Sequence, residues 1–387
     1  MYFYNDFIEN RFKLHQIEAE RMKKMKTMKI MIKEFNPTEA TKEDWKGFHE
    51  FRWRYHQESE PGETYLDNET QEKLIISSLK DEKINHKRLI ISIGGKQIGF
   101  LAINLFNEKS PSYEDNKTNM NFKLQLWKVY STKENLSQIL PLVAQEAKEN
   151  KRKRIFTMAI ADYEKKYLTD IGAKVGSVMR ENRLYLKDVN WEMMKQWVEE
   201  GKQRNSETKL IYYSKKTPDE YIDELCKTFT FTADQQPRDN LDTGKVTFTP
   251  EVIREIEHHF DQAGQTIEVT ASLEKDGTIS GLTVLLFLGE KLQVLEQNLT
   301  GVLENYRGRK IGKWIKASLL LTMKDKYPKV KYIRTFNSES NAPMRAINNK
   351  LGYKKHSELI RYQISLETIE KFLNEENTHL QTTEVHV

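Results

Sequence analysis

The sequence predicts an α/β protein, more strictly α+β, that consists of two similar domains in tandem. Its 387 residues exceed the length at which a single core usually keeps growing, so two domains are the default expectation. The motifs also repeat in the same order. Gly95 and Gly277, each in a tight turn between apolar segments, are 182 positions apart, and Gly172 and Gly352 are 180 apart. We therefore expect a duplicated unit, with domains over residues 28–190 and 191–370.

The first repeated element is a hairpin. One hairpin turns at Gly94-Gly95 and the other at Asp276-Gly277, and both are flanked by alternating or continuous apolar residues. A further strand, a helix, another strand, a short helix and a glycine follow in each half. Chance similarity of glycine turns is the alternative explanation.

Two helices are predicted near the end of the second half. Apolar residues recur at every fourth position of residues 311–324, which indicates a helix with an apolar stripe against a sheet. Lys316 falls outside that stripe and is expected to lie away from it. The shorter helix is bounded by Asn341, a cap residue, and by Gly352, a stop.

The ends of the chain are expected to lie outside the domains, residues 1–27 as a charged helical extension and residues 371–387 as a flexible tail. We expect no membrane segment, because no apolar run approaches the length of a span and the N-terminus lacks the apolar core of a signal peptide. Cys226 is the only cysteine, which excludes an intrachain disulfide and favours a reducing, cytoplasmic location.

The charge balance argues against a nucleic-acid-binding protein. There are 62 basic and 57 acidic residues, a net charge of +5. His258 and His259 have no further ligands at metal spacing, so no metal site is predicted. The pattern does not indicate an oligomeric state.

The stretch most informative about chemistry is VLENYRGRKIGKWIK, residues 302–316. A strand ends near Val302, and a short loop leads into the longer helix. Gly308 and Gly312 let the backbone approach a ligand closely, and the free N–H groups of a first helical turn favour a phosphate. These features predict a pyrophosphate cradle. On the residues alone, a glycine-containing turn before a basic helix is the alternative, and neither a P-loop nor a Gly-x-Gly-x-x-Gly turn is present.

The segment Arg307-Gly-Arg-Lys-Ile-Gly312 resembles the Arg/Gln-x-x-Gly-x-Gly/Ala signature of the GNAT superfamily of N-acetyltransferases. Lys310 departs from it, because the signature has its first glycine there. Residues 335–353 resemble the closing strand, helix and turn of the family. The duplicated architecture is similar to that of tandem GNAT acyltransferases, the group that includes mycothiol synthase. The resemblance implies two GNAT-like domains, each a mixed, mostly antiparallel, splayed sheet flanked by helices.

The resemblance also implies an acyl-CoA site in the second domain. Val302 would pair its backbone with the pantetheine arm, while Asn341 and Asn337 would face the pantetheine or thiol end. The pyrophosphate would be bound, mainly through main-chain N–H groups, by Arg307, Gly308, Arg309, Lys310, Ile311, Gly312 and Lys313.

Proton transfer requires further residues. Glu296 is the candidate catalytic base, because it lies six residues before Val302 and family members often carry a catalytic glutamate there. A surface glutamate is the alternative, and neighbouring apolar residues are expected to surround it in part. GNAT enzymes often use a tyrosine on the short helix as the acid, but Asn348 stands at that position. Tyr353 is expected to pack in the core, so the acid is left open.

The resemblance implies an N-acetyltransferase that transfers acetyl from acetyl-CoA, its cosubstrate, to an amine by direct attack in a ternary complex. Residues 191–370 would be the active domain. Residues 28–190 would be degenerate, because the segment that matches the cradle, residues 129–138, has no glycine and carries Glu134. The alternative is a non-catalytic acyl-CoA-binding or scaffold protein. The amine acceptor, a small molecule or a peptide, is not indicated.

Overall fold

The computed structural model describes residues 29–384, with side chains described up to residue 378. The extension expected over residues 1–27 therefore lies outside the described residues. Within residues 29–384, no helix combines the length and the apolar character that a membrane span requires.

The first half contains six strands and five helices among the described residues. Their bounds are β1 Ile30–Glu34, α1 Lys42–Ser59, α2 Asn68–Ser78, β2 Ile84–Ile93, β3 Lys96–Phe106, α3 Tyr113–Asn116, β4 Asn119–Leu126, α4 Lys133–Glu149, β5 Arg154–Ala159, α5 Asp162–Asp170 and β6 Lys174–Tyr185.

The second half contributes six more strands and six more helices to the described part. Their bounds are α6 Trp191–Arg204, β7 Lys209–Ser214, α7 Ile222–Asp234, α8 Pro250–Gln262, β8 Thr266–Leu273, β9 Ile279–Phe287, β10 Val294–Val302, α9 Ile311–Lys326, β11 Tyr332–Ser338, α10 Ala342–Leu351, β12 Lys354–Ser365 and α11 Leu366–Glu384. Short 3-10 turns occupy Lys128–Tyr130, Leu186–Asp188, Asp219–Tyr221 and Glu304–Tyr306.

The local predictions agree with this order. The hairpins β2–β3 and β8–β9 turn where expected, and Gly95 and Gly277 both have the positive φ angles that favour glycine. Asn341 caps α10 by accepting a hydrogen bond from the Met344 amide at 3.3 Å. Gly352 ends that helix in the left-handed conformation, with φ of 92°.

All twelve strands form one sheet, in the order β1-β2-β3-β4-β5-β12-β6-β11-β10-β9-β8-β7. Neighbouring strands are antiparallel except for β4–β5 and β10–β11, which are parallel. The last strand of each half is exchanged: β12 lies between β5 and β6, and β6 lies between β12 and β11. The mixed, mostly antiparallel architecture is as predicted, but the sheet is continuous across both halves.

The end of the chain packs on the first half. Tyr362 and Ile364 of β12 are buried in the same cluster as the apolar residues of β2 to β5. Ile369 and Phe372 of α11 join that cluster at 0% and 5% exposure. Residues 371–384, expected as a tail, continue the helix α11, and among its described side chains Ile369 and Phe372 are buried.

The two parallel pairs are short, so the sheet opens beyond them. β10 pairs with β11 only from Val294↔Tyr332 to Gln297↔Thr335, and the pairing of β10 with β9 shifts register between Gln297 and Thr300. β10 then diverges from β11 and leaves part of its edge unpaired. This opening places the candidate site.

Candidate functional site

A cleft of about 670 Å³ occupies the opening between β10 and β11. Its walls are the diverging strand ends, the loop into α9, the end of α7 and the start of α10. Nine of the predicted site residues line it. These are Val302, Arg307, Gly308, Lys310, Ile311, Gly312, Lys313, Asn337 and Asn341.

The loop into α9 presents a row of free backbone donors. Among the described residues, none accepts a hydrogen bond from the amides of residues 308–312, whereas the next amides, of Lys313 and Trp314, bond to the carbonyl of Lys310. No side chain in the described part of the chain caps α9. Free N–H groups at the start of a helix and just before it favour an anion, because they add to the positive end of the helix dipole.

Lys310, which replaces the first glycine of the signature, adopts a backbone conformation typical of glycine. Its φ of 64° and ψ of 13° are left-handed, a region that glycine enters without steric cost. The loop therefore has the backbone conformation that a glycine at this position would allow, although the residue is a lysine. The side chain of Lys310 extends outward to Glu200 on α6, 2.6 Å away.

The basic side chains of the loop are not equivalent. Arg307 reaches the carbonyl of Val302 and the side chain of Gln235, each at 3.3 Å. Lys313 lies 5.1 Å from the centre of the Trp197 ring, and burial lowers its pKa from the ordinary lysine value. Both remain beside the cleft.

Arg309, also predicted to bind the cofactor, directs its side chain away from the cleft. It donates to Asn205 at 2.8 Å and to Thr208 at 2.7 Å, and it pairs with Glu274 at 3.1 Å. Its guanidinium thereby ties the loop to the segment between α6 and β7 and to the residue that follows β8. Only the backbone N–H of Arg309 belongs to the donor row.

Glu296 lies on β10, one residue before the start of the cleft, and its side chain projects from the face of the sheet opposite to Gln297. The guanidinium of Arg334 contacts it at 2.7 and 2.8 Å, both times at Oε2. No described residue donates a hydrogen bond to Oε1. We expected partly apolar surroundings for this carboxylate. On the side of Oε2 its partner is instead the cation Arg334.

The first half supplies charge to the same face. Arg183 of β6 is the cross-strand partner of Arg334, and it pairs with Glu63, from the segment between α1 and α2, at 2.7 Å. His356 contacts the other oxygen of Glu63 at 2.8 Å. Glu296 therefore lies near a charged network built from both halves.

Lys316 of α9 is the residue that the sequence pattern misplaced. It lines the cleft yet is only 1% exposed. Its Nζ donates to Oδ1 of Asn348 at 3.0 Å, and Nδ2 of Asn348 donates to Oδ1 of Asn337 at 2.7 Å. Burial lowers the pKa of Lys316 to about 7.

The apolar stripe failed to identify this lysine because α9 is buried on more than one side. Trp314 packs so closely on α6 that a Cβ at Gly201 would lie 2.2 Å from its Cγ. The available signal was the composition of α9, whose buried residues extend well beyond one stripe. As expected, Tyr353 is buried, at 6% exposure.

The corresponding opening of the first half is filled. β4 and β5 pair only from Asn119↔Arg154 to Asn121↔Phe156. Beyond that point, the hydroxyls of two tyrosines of α5 donate to carbonyls of β4: Tyr163 to Leu126 at 3.3 Å, and Tyr167 to Leu124 at 3.0 Å. These contacts use backbone acceptors where β4 would otherwise have a free edge.

The helix after β4 also differs from α9. Thr132 caps α4 by accepting a hydrogen bond from the Asn135 amide at 3.3 Å. Glu134 is the second residue of α4, at the position of Gly312 in α9. Its negative charge in the first turn opposes an anionic ligand.

The structure is similar to several solved proteins, although no protein-family model and no curated protein matches the sequence. A tandem GNAT protein from the clavulanic acid biosynthesis pathway, solved without AcCoA, aligns with a TM-score of 0.67 at 14% identity, over 87% of this chain and 99% of that one. A GCN5-related N-acetyltransferase from Sphaerobacter thermophilus has a TM-score of 0.57 at 11% identity, over 87% and 96% of the two chains. At these identities the likeness establishes the fold.

Proposed function

The chain has the tandem GNAT fold, and from that premise we propose that it is an acyl-CoA-dependent N-acyltransferase. It transfers acetyl from acetyl-CoA to an amine by direct attack in a ternary complex. The second half, residues 191–370, is the active one. The acceptor is a small molecule or a peptide.

The observation that carries this proposal is the open cleft that ends at the row of free amides. A pyrophosphate requires several convergent donors and a positive potential, and residues 308–312 provide both. The unpaired edge of β10 near Val302 would accept the pantetheine arm as an added strand. Asn337 and Asn341, both in the cleft wall, would contact the thiol end.

The acceptor would approach from the face that carries Glu296. In the reaction, the amine nitrogen forms a bond to the thioester carbonyl carbon, the C–S bond breaks, and the acceptor loses a proton. Oε1 of Glu296 would take that proton directly or through water, while Arg334 holds Oε2. Through the ion pair of Glu63 with Arg183, the first half would form a wall of this acceptor site.

The first half would not bind acetyl-CoA. Tyr163 and Tyr167 occupy the carbonyls of β4, and Glu134 lies where a phosphate would have to bind. Binding would therefore have a stoichiometry of one acetyl-CoA per chain. The first half would contribute structurally, through the exchanged strands and the wall of the acceptor site.

The test is calorimetric titration of the full chain with acetyl-CoA, beside the Gly312→Glu variant. An added Cβ at Gly312 meets only Val302, at 3.6 Å, so the substitution fits the fold while placing negative charge at the cradle. The matched control is Glu134→Gly, at the corresponding position of α4. We expect one site in the parent chain and in the control, and no site in Gly312→Glu. No binding to the parent chain would refute the proposal.

A non-catalytic acyl-CoA-binding or scaffold protein is the second candidate, favoured by the lysine at position 310 and by the absence of a tyrosine at position 348. Release of free CoA thiol separates the two. If the chain is an enzyme, adding an acceptor from a panel of amines should accelerate the release of CoA thiol from acetyl-CoA. Binding without amine-dependent release would identify the scaffold.

A further inference from the structure

Lys316 has no ionic partner in the described structure. It is 1% exposed, and the described hydrogen-bond partners of Nζ are Asn348 and the sulfur of Met344, with no carboxylate among them. Burying an amine in this way costs more than burying an apolar side chain of the same length. A purely structural role would be served better by Met or Leu, so the lysine calls for a chemical explanation.

The surroundings hold the amine in place. Oδ1 of Asn348 accepts from Nζ at 3.0 Å, Sδ of Met344 lies 3.9 Å away, and the centre of the Tyr353 ring lies 5.8 Å away. Asn348 is itself fixed by Asn337 in the cleft wall, at 2.7 Å. The amine is thus oriented beside the end of the cleft where Asn337 lies.

Few titratable groups surround this amine. Lys313, one turn earlier on the same helix, lines the same cleft. Tyr353, which follows α10, is the titratable group that packs against the amine of Lys316. Burial raises the pKa of Tyr353 well above its ordinary value, so this phenol stays neutral. Met344 and Asn348, the contacts from α10, carry no charge.

We propose that the ammonium group of Lys316 is the proton donor to the departing CoA thiolate. This role rests on the proposed acyl transfer. As the acceptor nitrogen bonds to the carbonyl carbon and the C–S bond breaks, sulfur leaves with the bonding electron pair. An Nζ–H bond of Lys316 then breaks, and its proton forms the S–H bond of CoA. The neutral amine regains a proton from water before the next turnover.

Asn348 has the positioning role in this scheme. Its side-chain oxygen accepts from Lys316, which holds the amine against the cleft. An asparagine cannot itself donate a proton to sulfur at neutral pH. The lysine thereby supplies the acid that residue 348 lacks.

The test uses the ultraviolet thiolate absorbance of CoA bound to the full chain, measured across pH. An ammonium beside sulfur should lower the apparent pKa of the bound thiol by about one unit or more. Lys316→Met should abolish that lowering. The matched control is Lys324→Met, an exposed lysine on the same helix, which should behave like the parent chain. Lys316→Gln, which keeps a hydrogen bond to Asn348, replaces Lys316→Met if the latter does not fold.

The outcomes separate this proposal from the proposed function. If the parent chain does not bind CoA, acyl transfer itself fails. If CoA binds and the thiolate titrates identically in parent and Lys316 variants, only the proton-donor role is overturned. Stoichiometric acetylation of Lys316 by acetyl-CoA, detected by peptide mass spectrometry, would also overturn it, because the amine would then be an acceptor.

Discussion

Arg334 holds Glu296 through one carboxylate oxygen, Oε2, and leaves Oε1 without a donor among the described residues. The two residues occupy paired positions of β10 and β11, immediately before those strands diverge. An ion pair at that point fixes the orientation of the free oxygen. The arrangement suits a base that must accept a proton at one defined position.

The first prediction concerns this pair. Glu296→Gln should lower kcat for amine acetylation by about 100-fold or more, because the amide cannot accept the proton of the amine. The affinity for acetyl-CoA, measured by calorimetry, should remain unchanged. Arg334→Lys, which keeps a cation, is the control and should lose less activity. Unchanged kcat in Glu296→Gln would remove this residue from the mechanism.

The second prediction concerns Lys310. Because its φ is 64°, Lys310→Gly relieves strain but adds freedom to the unfolded chain, so the free energy of unfolding should change by less than about 1 kcal/mol. Acetyl-CoA binding should persist, since the backbone amide provides the contact. Lys310→Val should lower the free energy of unfolding by roughly 1–2 kcal/mol. Urea unfolding measures both, and equal stability of the two variants would contradict the strain argument.

The third prediction follows from Glu63. Burial would raise the pKa of this carboxyl, but hydrogen bonds and charge from Arg183 and His356 hold it below its usual value. Its contribution to stability is therefore present above the unfolded pKa, about 4.3, and is lost as pH falls through the lower folded pKa.

Glu63→Gln tests this linkage. At pH 7 the variant should be less stable by about 1 kcal/mol, a modest figure because the site is partly open to solvent. The difference should shrink as the pH is lowered and disappear once the carboxyl is protonated. Denaturant unfolding across pH provides the measurement. A stability difference between parent and variant that grew at acidic pH would contradict the lowered pKa of Glu63.

The fourth prediction concerns the exchanged strands. A protease site inserted between Asp188 and Trp191, after β6, should allow cleavage without separating the halves. The pieces should elute together under native conditions because β6 pairs with both β11 and β12, and β12 pairs with β5. They should part only in denaturant. Separation in native buffer would show that the exchanged pairing does not hold the halves together.

Local patterns in the sequence predicted much of the fold. The turns at Gly95 and Gly277, the cap at Asn341 and the stop at Gly352 depend on residues only a few positions apart. Such features are determined by backbone conformation and by short-range hydrogen bonds. The loop into α9 belongs to the same class, and its predicted residues line the cleft, except for Arg309.

Features that depend on distant partners were not predictable in the same way. The burial of Lys316 depends on α6 and α10 covering α9 together with the sheet, and the contacts of Tyr163 depend on where β4 becomes unpaired. The direction of Arg309 depends on Glu274 of the segment after β8. None of these partners has a fixed spacing from its residue, so periodicity gave no signal.

The exchange of β6 and β12 also sets the sequence in which the molecule can be completed during synthesis. Ribosomes synthesise the chain from its N-terminus, so the edge of β5 that pairs with β12 has no partner until the second half has been made. The apolar surface of the first half is likewise left uncovered until Ile369 and Phe372 arrive. A nascent chain therefore carries an open strand edge while the second half is being made, and a chain truncated before β12 lacks a strand that the first half requires.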